Sequence, residues 1–343
     1  MEIPEYMNDN KPIVSICCIT FNHEQYIKEA LDGFVMQKTD FVFEIVISDD
    51  CSLDNTRNII DEYKLRFPKL IRDVSPANNK GIIENWKHVH LEARGEYIAF
   101  CEGDDYWTDP FKLQKQVEYM RRNPQCGLCI TDFTCQTDCD KDSITFSVFA
   151  SKSTFQPQSF LEHLQNAGYI GPMTWLYKRE LFLHNIEDYI NITDATLAIA
   201  LDLFKISEVA YLPDRTAVYR VHNNSAANPS SMNKKLEYII GVHNTQLFYA
   251  RKYECSADVI DNLKIQNYTT TIPFALECNN SEYIDEAIRF YTTKGLNMKW
   301  YVESCKDYVR YKKQYNTILS SRAYRLGKFL LKPVSMLRKM IKK

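Results

Sequence analysis

Three carboxylates within four positions, Glu102, Asp104 and Asp105, are the residues of this chain best spaced to do chemistry. They follow an apolar run, residues 97–101, and precede Tyr106 and Trp107. Hard divalent cations take oxygen ligands, and Mg2+ typically uses one or two carboxylates and leaves its other positions to substrate phosphates. A turn rich in Asp and Gly is the plainer account of such a segment. The apolar strand before it and the two aromatics after it argue against a merely exposed turn. A second apolar run, residues 43–48, ends in Asp49 and Asp50. A carboxylate there can accept a hydrogen bond from a nucleobase or a ribose hydroxyl, while Ser52 or Asp54 caps the helix that follows.

Other positions invite a role more weakly. The first strand ends in Thr20, Phe21, Asn22 and His23, with no glycine-rich phosphate loop after it. With 10 glycines in all and neither GxGxxG nor a P-loop, dinucleotide and P-loop folds are poorly supported. Phosphates would then be handled through a divalent metal (Mn2+ or Mg2+) at the acidic loop. His222 follows a short strand that carries Arg220, and both could contact a phosphate or the metal, although a lone histidine is more often structural. Asp194 opens a helix, where an N-cap is the ordinary reading. Cys126, Cys129, Cys135 and Cys139 have tight spacing, but successive side chains of a strand point apart, which disfavours zinc. His88 and His90 lie in a helical segment and are expected to pack or face solvent.

The elements that must position these residues are legible as an alternation. Strands are predicted at residues 13–20, 42–48, 70–74, 97–101 and 127–133, and helices at 24–37, 54–67, 82–93 and 110–121. Strand–helix alternation implies a mostly parallel sheet covered on both faces, and open sheets of this kind bind ligands beyond the strands' carboxyl ends. After residue 133 the pattern changes. Residues 143–158 read as polar and irregular, 159–165, 178–184 and 195–207 as helices, and 209–211 and 217–221 as short strands. Residues 232–306 are largely helical.

The chain has 343 residues, 45% hydrophobic and 25% charged, which suits a globular protein with a sizeable core. A formal charge of −2 argues against nucleic acid as a partner. The charge is uneven: no acid follows Asp307, and 11 basic residues fall beyond it, leaving about −13 on the remainder. The stretch 322–343 mixes Leu326, Phe329, Leu330 and Met336 with basic residues, so an anionic membrane surface is an expected partner. No signal peptide and no run of about 20 apolar residues is visible, and the 11 cysteines are scattered. A cytoplasmic protein, peripheral on the inner face of the membrane, is expected.

Taken together the segments resemble glycosyltransferase family 2, the inverting nucleotide-sugar enzymes with the GT-A fold. The matching pieces are Val14-Ser15-Ile16 to Asn22, residues 43–52, Asn79-Lys80-Gly81, Gly95-Glu96-Tyr97-Ile98, Glu102-Gly103-Asp104-Asp105-Tyr106-Trp107, residues 174–179, Asp194, and Tyr219-Arg220-Val221-His222. The resemblance implies an α/β GT-A domain at residues 1–228, a helical region at 229–316 and a basic amphipathic tail at 317–343. It implies that Thr20, Phe21, Asn22, Asp50, Lys80, Asn85, Glu102, Asp104 and Arg220 bind the nucleotide sugar, and that Asp104, Asp105 and His222 hold the metal. Asp194 stands at the catalytic base. The expected donor is a UDP-sugar, and the expected acceptor a glycan or lipid-linked hydroxyl in surface polysaccharide or lipopolysaccharide synthesis. The sequence departs from the family pattern at Glu102, where Asp is usual, at Cys51, where Gly is usual, and beside Asp194, which lacks the common aromatic neighbour. A sugar-nucleotide nucleotidyltransferase, or a non-catalytic nucleotide-sugar-binding module, is the alternative.

Overall fold

A computed structural model describes residues 11–137, 140–147, 159–165, 170–189, 192–222 and 231–320. The chain divides into two compact units, Met1–Asn228 with Gly241–Ser256, and Pro229–Ile240 with Ala257–Lys343.

The first unit is built on a sheet of nine strands: β1 (Val14–Thr20), β2 (Phe43–Asp49), β3 (Ile71–Asp73), β4 (Tyr97–Phe100), β5 (Tyr106–Trp107), β6 (Cys126–Thr137), β7 (Asp140–Ser147), β8 (Leu176–Lys178) and β9 (Glu208–Val221). The order is β3-β2-β1-β4-β8-β6-β9-β5, with β7 paired to β6. The first four of these strands are mutually parallel, as the alternation predicts. Helices α1 (Ile27–Val35), α2 (Thr56–Arg66) and α3 (Ile82–Glu92) follow β1, β2 and β3 in sequence. Every residue of β1 and β4 is buried, the signature of a sheet covered on both faces.

Beyond β4 the sheet is mixed rather than mostly parallel. β8 runs antiparallel to both β4 and β6, while β6 and β9 are parallel to each other. The sequence hid this half for local reasons. β5 has two residues and β8 three, too few for a period to register. β9 reads as two strands because Pro213-Asp214 looks like a turn. The structure instead passes those residues as an irregularity, since Leu212 pairs with Thr131 and Arg215 with Asp132. β7 occupies the start of the stretch read as irregular.

Helix α4 (Lys112–Arg122) packs beside β6, and α5 (Phe160–Gln165), α6 (Arg179–His184) and α7 (Ala195–Ile206) complete the first unit together with the end of α8 (Met232–Lys252). The second unit contains α9 (Ala257–Glu277), α10 (Ser281–Thr293) and α11 (Lys299–Ser320). Its core is Tyr268, Ile272, Ala287, Tyr291, Val302 and Cys305. Among the described residues no helix is long and apolar enough to cross a membrane. The basic stretch 322–343 lies outside the described residues.

Candidate active site

The acidic loop is held between two strands. Strand β4 carries the chain to Cys101, whose amide donates to the Cys17 carbonyl of β1 at 3.1 Å, and the Gly103 amide donates to the Ile19 carbonyl at 2.9 Å. Gly103 lies against the end of β1: a Cβ there would meet Thr20 Oγ1 at 2.8 Å and Ile27 Cδ1 at 2.9 Å. The chain then turns into β5, which pairs antiparallel with β9 at Ala217 and Val218. Arg220 of β9 completes the clamp. Its amide donates to Asp105 Oδ1 (2.8 Å), and its guanidinium donates to the Asp104 carbonyl (2.6 Å), pairs with Glu29 and lies 4.3 Å from the Tyr106 ring centroid. Burial lowers its pKa to about 10.

Ligand oxygens of Glu102, Asp104 and Asp105 all lie within 4.8 Å of one another. Such crowding of like charges in a dry site is unfavourable. Burial, the Asp104 charge and the Asp194 charge push Glu102 up to about 8. Burial and Asp104 push Asp105 well above the usual carboxylate range. Asp104 goes the other way. Burial raises it, but the hydrogen bond from His222 and the positive potential of His23 and His222 outweigh that and hold it below its ordinary value. His222 Nε2 lies 3.0 Å from Asp104 Oδ2, and His23 Nε2 lies 3.8 Å from the same oxygen. Tyr26 stacks on His222 at 5.1 Å.

Three buried polar atoms here have no hydrogen-bond partner: Asp104 Oδ1, Thr20 Oγ1 and His23 Nδ1. Orphaned buried polar atoms are costly and call for an explanation. A divalent cation fits this donor set, because it would neutralise crowded carboxylates and engage the orphaned Asp104 oxygen. Asp104, with Glu102, Asp105 and His222 around it, is the group that could hold it.

The remaining expected residues are distributed unevenly. Thr20 ends β1 beneath Gly103. Phe21 is exposed, and Asn22 adopts φ +56°, a left-handed conformation asparagine tolerates, while its side chain accepts from the Leu53 amide at 2.8 Å. The Asp50 carboxylate accepts the Lys80 amide at 2.7 Å and the Gly81 amide at 2.8 Å, so it organises the loop after β3. The Lys80 residue is exposed. Asn85 is buried, accepts from Ser48 Oγ at 2.5 Å and donates to the Ser48 carbonyl at 3.1 Å. His90 is likewise buried, with Nδ1 2.7 Å from the Trp86 carbonyl, while His88 Nε2 lies 2.8 Å from the Val74 carbonyl.

Asp194 caps α7, its Oδ1 accepting from the Leu197 amide at 3.0 Å and from Thr196 Oγ1 at 2.6 Å. Its charge also raises the Glu102 pKa, so the α7 N-terminus acts electrostatically on the acidic loop. The cap and a place at the cleft are therefore compatible. Sequence reasoning gave no role to His23, Tyr26 or Glu29. His23 was reachable, being the next residue after a singled-out strand end. Nothing in sequence marks Tyr26 or Glu29, whose partners lie on β9.

Comparison with known proteins agrees with this architecture. The profile described as glycosyl transferase family 2 matches residues 15–184. An uncharacterized protein of Mycobacterium tuberculosis is 38% identical over 214 residues, 61% of this chain and 59% of the relative. The chain thus spans about three fifths of the length of the first relatives it matches. The provisionally assigned teichuronic acid biosynthesis glycosyltransferase TuaG of Bacillus subtilis is 29% identical over 65% of this chain and 84% of its own length. Among solved structures, S. aureus TarS 1-349 in complex with UDP-GlcNAc aligns over 92% of each chain with a TM-score of 0.56 at 16% identity. The mannosyltransferase PcManGT from Pyrobaculum calidifontis, solved with GDP-Man and Mn2+, aligns over 94% of this chain and 87% of its own with a TM-score of 0.52 at 15% identity. At such identity the likeness speaks for the fold alone. With its matched domain, its strand order and its acidic loop between β4 and β5, this chain belongs to glycosyltransferase family 2 and has the GT-A fold.

Proposed function

We propose that the protein is a metal-dependent inverting glycosyltransferase that moves a sugar from a nucleoside diphosphate, UDP being the expected one, to a hydroxyl of a glycan or lipid-linked acceptor. The observation that carries this reading is the cluster of Glu102, Asp104 and Asp105, whose ligand oxygens lie within 4.8 Å of one another and in which the buried Asp104 Oδ1 has no partner. Asp104, Asp105 and His222 would hold the cation, with Glu102 beside them. The cation, when bound, supplies positive charge to the diphosphate as it leaves.

The chain's own residues do the rest. Thr20, Phe21 and Asn22 border the nucleoside, and Asp50 keeps the loop at Lys80 and Gly81 in place. Arg220 fixes the acidic loop to β9, so the carboxylates need not reorganise during the reaction. Asp194 takes the proton of the acceptor hydroxyl. A carboxylate is a weak base for an alcohol, so the transfer is late, as the hydroxyl oxygen bonds to the anomeric carbon. Direct attack opposite the diphosphate inverts that carbon. TuaG and PcManGT are named as glycosyltransferases, and TarS and PcManGT are solved with nucleotide sugars; both facts support this reading. The teichuronic acid assignment of TuaG favours surface polysaccharide as the setting.

The test is nucleotide release from UDP-GlcNAc, UDP-glucose, UDP-galactose and GDP-mannose with Mn2+, read by chromatography. Turnover of one donor is expected, falling by about 10²–10⁴-fold in Asp194→Asn. Asp104→Asn should lose Mn2+-dependent UDP binding in calorimetry. Absence of any nucleotide binding by the folded protein would end the proposal, and turnover that required pyrophosphate would replace it with nucleotidyl transfer.

A further inference from the structure

Helix α7 is buried on nearly every side, yet it carries a carboxylate, Asp202, that is almost fully buried. A buried charge persists only when it is well partnered. Asp202 accepts from Tyr189 Oη (2.8 Å), Tyr249 Oη (3.1 Å), Lys252 Nζ (2.6 Å) and Tyr253 Oη (2.5 Å). Lys252 also reaches Asp188 at 2.7 Å. Three of the four donors come from α8 or the residue after it, well past the segment that the family profile matches.

A second contact joins the same two elements at the other end. Gly241 of α8 lies against Thr193, the residue before Asp194. A Cβ at Gly241 would sit 2.0 Å from Thr193 Oγ1 and 2.5 Å from Thr193 Cβ, so neither α8 nor the Thr193–Asp194 turn could stay where it is. Asp202 lies eight residues beyond Asp194, roughly 12 Å along α7 at 1.5 Å per residue. The Asp194 cap is thus pinned from both ends of α7, and both pins come from α8.

We propose that α8 is a positioning element of the active site: Gly241 and the Asp202 cluster fix where α7 begins and so where the Asp194 carboxylate stands. This rests on the reading of Asp194 as the base. Asp202 and Gly241 are positioning residues, since neither touches a reacting atom. The inference also gives a reason for the long helix after the matched domain: without it the buried Asp202 would keep only the Tyr189 hydroxyl among its four donors.

Two variants test it, Gly241→Ala and the milder Tyr253→Phe, which removes a single hydroxyl. Amide exchange at Leu197, whose N–H is held by Asp194, reports the cap directly and needs no substrate. NMR should find that exchange faster by at least roughly tenfold in both variants, with the amides of β4 unchanged. Turnover of the best donor should fall by roughly 10- to 100-fold, the scale of a misplacement near 1 Å, while calorimetric UDP affinity with Mn2+ stays within about twofold. Unchanged Leu197 exchange would overturn the inference whatever happens to turnover. Faster exchange with full turnover would uphold the positioning and remove Asp194 from the chemistry.

Discussion

Replacing Lys112 by methionine is a sharp test of the packing behind the acidic loop. Lys112 is fully buried, with Nζ donating to Gln116 Oε1 at 2.7 Å and lying 4.4 Å from the Trp107 ring centroid. Trp107 belongs to β5, the strand that returns from the acidic loop. Burial lowers the Lys112 pKa from 10.5 to about 7, against small opposing effects from Cys101, Cys129 and Asp109. A base whose folded pKa is depressed binds fewer protons folded than unfolded between those two values. Stability therefore rises with pH across that window, and the full penalty applies below about pH 7. At 1.36 kcal/mol per pKa unit, the slope integrates to about 3 kcal/mol between pH 7 and pH 9.5. Methionine has no proton to lose, so the stability difference between wild type and Lys112→Met should move by that amount in favour of wild type as pH rises. Urea unfolding of both proteins at several pH values measures it. Parallel stability curves would show that Lys112 is solvated or paired in the folded protein and would refute the argument.

Two further outcomes follow from particular atoms and a third from the composition of the tail. Gly103→Ala should destabilise by about 1–3 kcal/mol, since its Cβ overlaps Thr20 and Ile27, and calorimetry should find weaker Mn2+ binding because Asp104 is displaced with it. Cys51 adopts φ +62° where the family pattern has glycine, so Cys51→Gly should stabilise by up to about 1 kcal/mol in the urea midpoint with an unchanged slope. No gain would mean that the Cys51 Sγ contact with the Pro76 carbonyl, 3.5 Å away, offsets the conformational strain. Deleting residues after Ser321 should leave a folded protein that no longer sediments with anionic vesicles, and unchanged sedimentation would reject the tail as a membrane contact.

The first half of the fold and the acidic cluster were legible in the order of residues alone, because both are local. Strand-like runs of five to eight residues alternating with helical periods specify β1 to β4 and α1 to α4, and a carboxylate that follows a buried strand must emerge at its tip. Glu102, Asp104 and Asp105 could therefore be named from order alone. The tertiary structure decided what depends on partners far along the chain. Arg220 and His222 reach Asp104 across 116 and 118 residues, and β9, paired with both β6 and β5, brings them there. Asn85, expected at the nucleotide, is found buried with its amide on Ser48, a partner 37 residues away. Asp194 and the donors that fix its helix lie on segments whose meeting no period or spacing encodes. Long-range pairing rests on shape and on the cost of leaving buried polar groups unsatisfied, and those become visible only once the chain has closed around them.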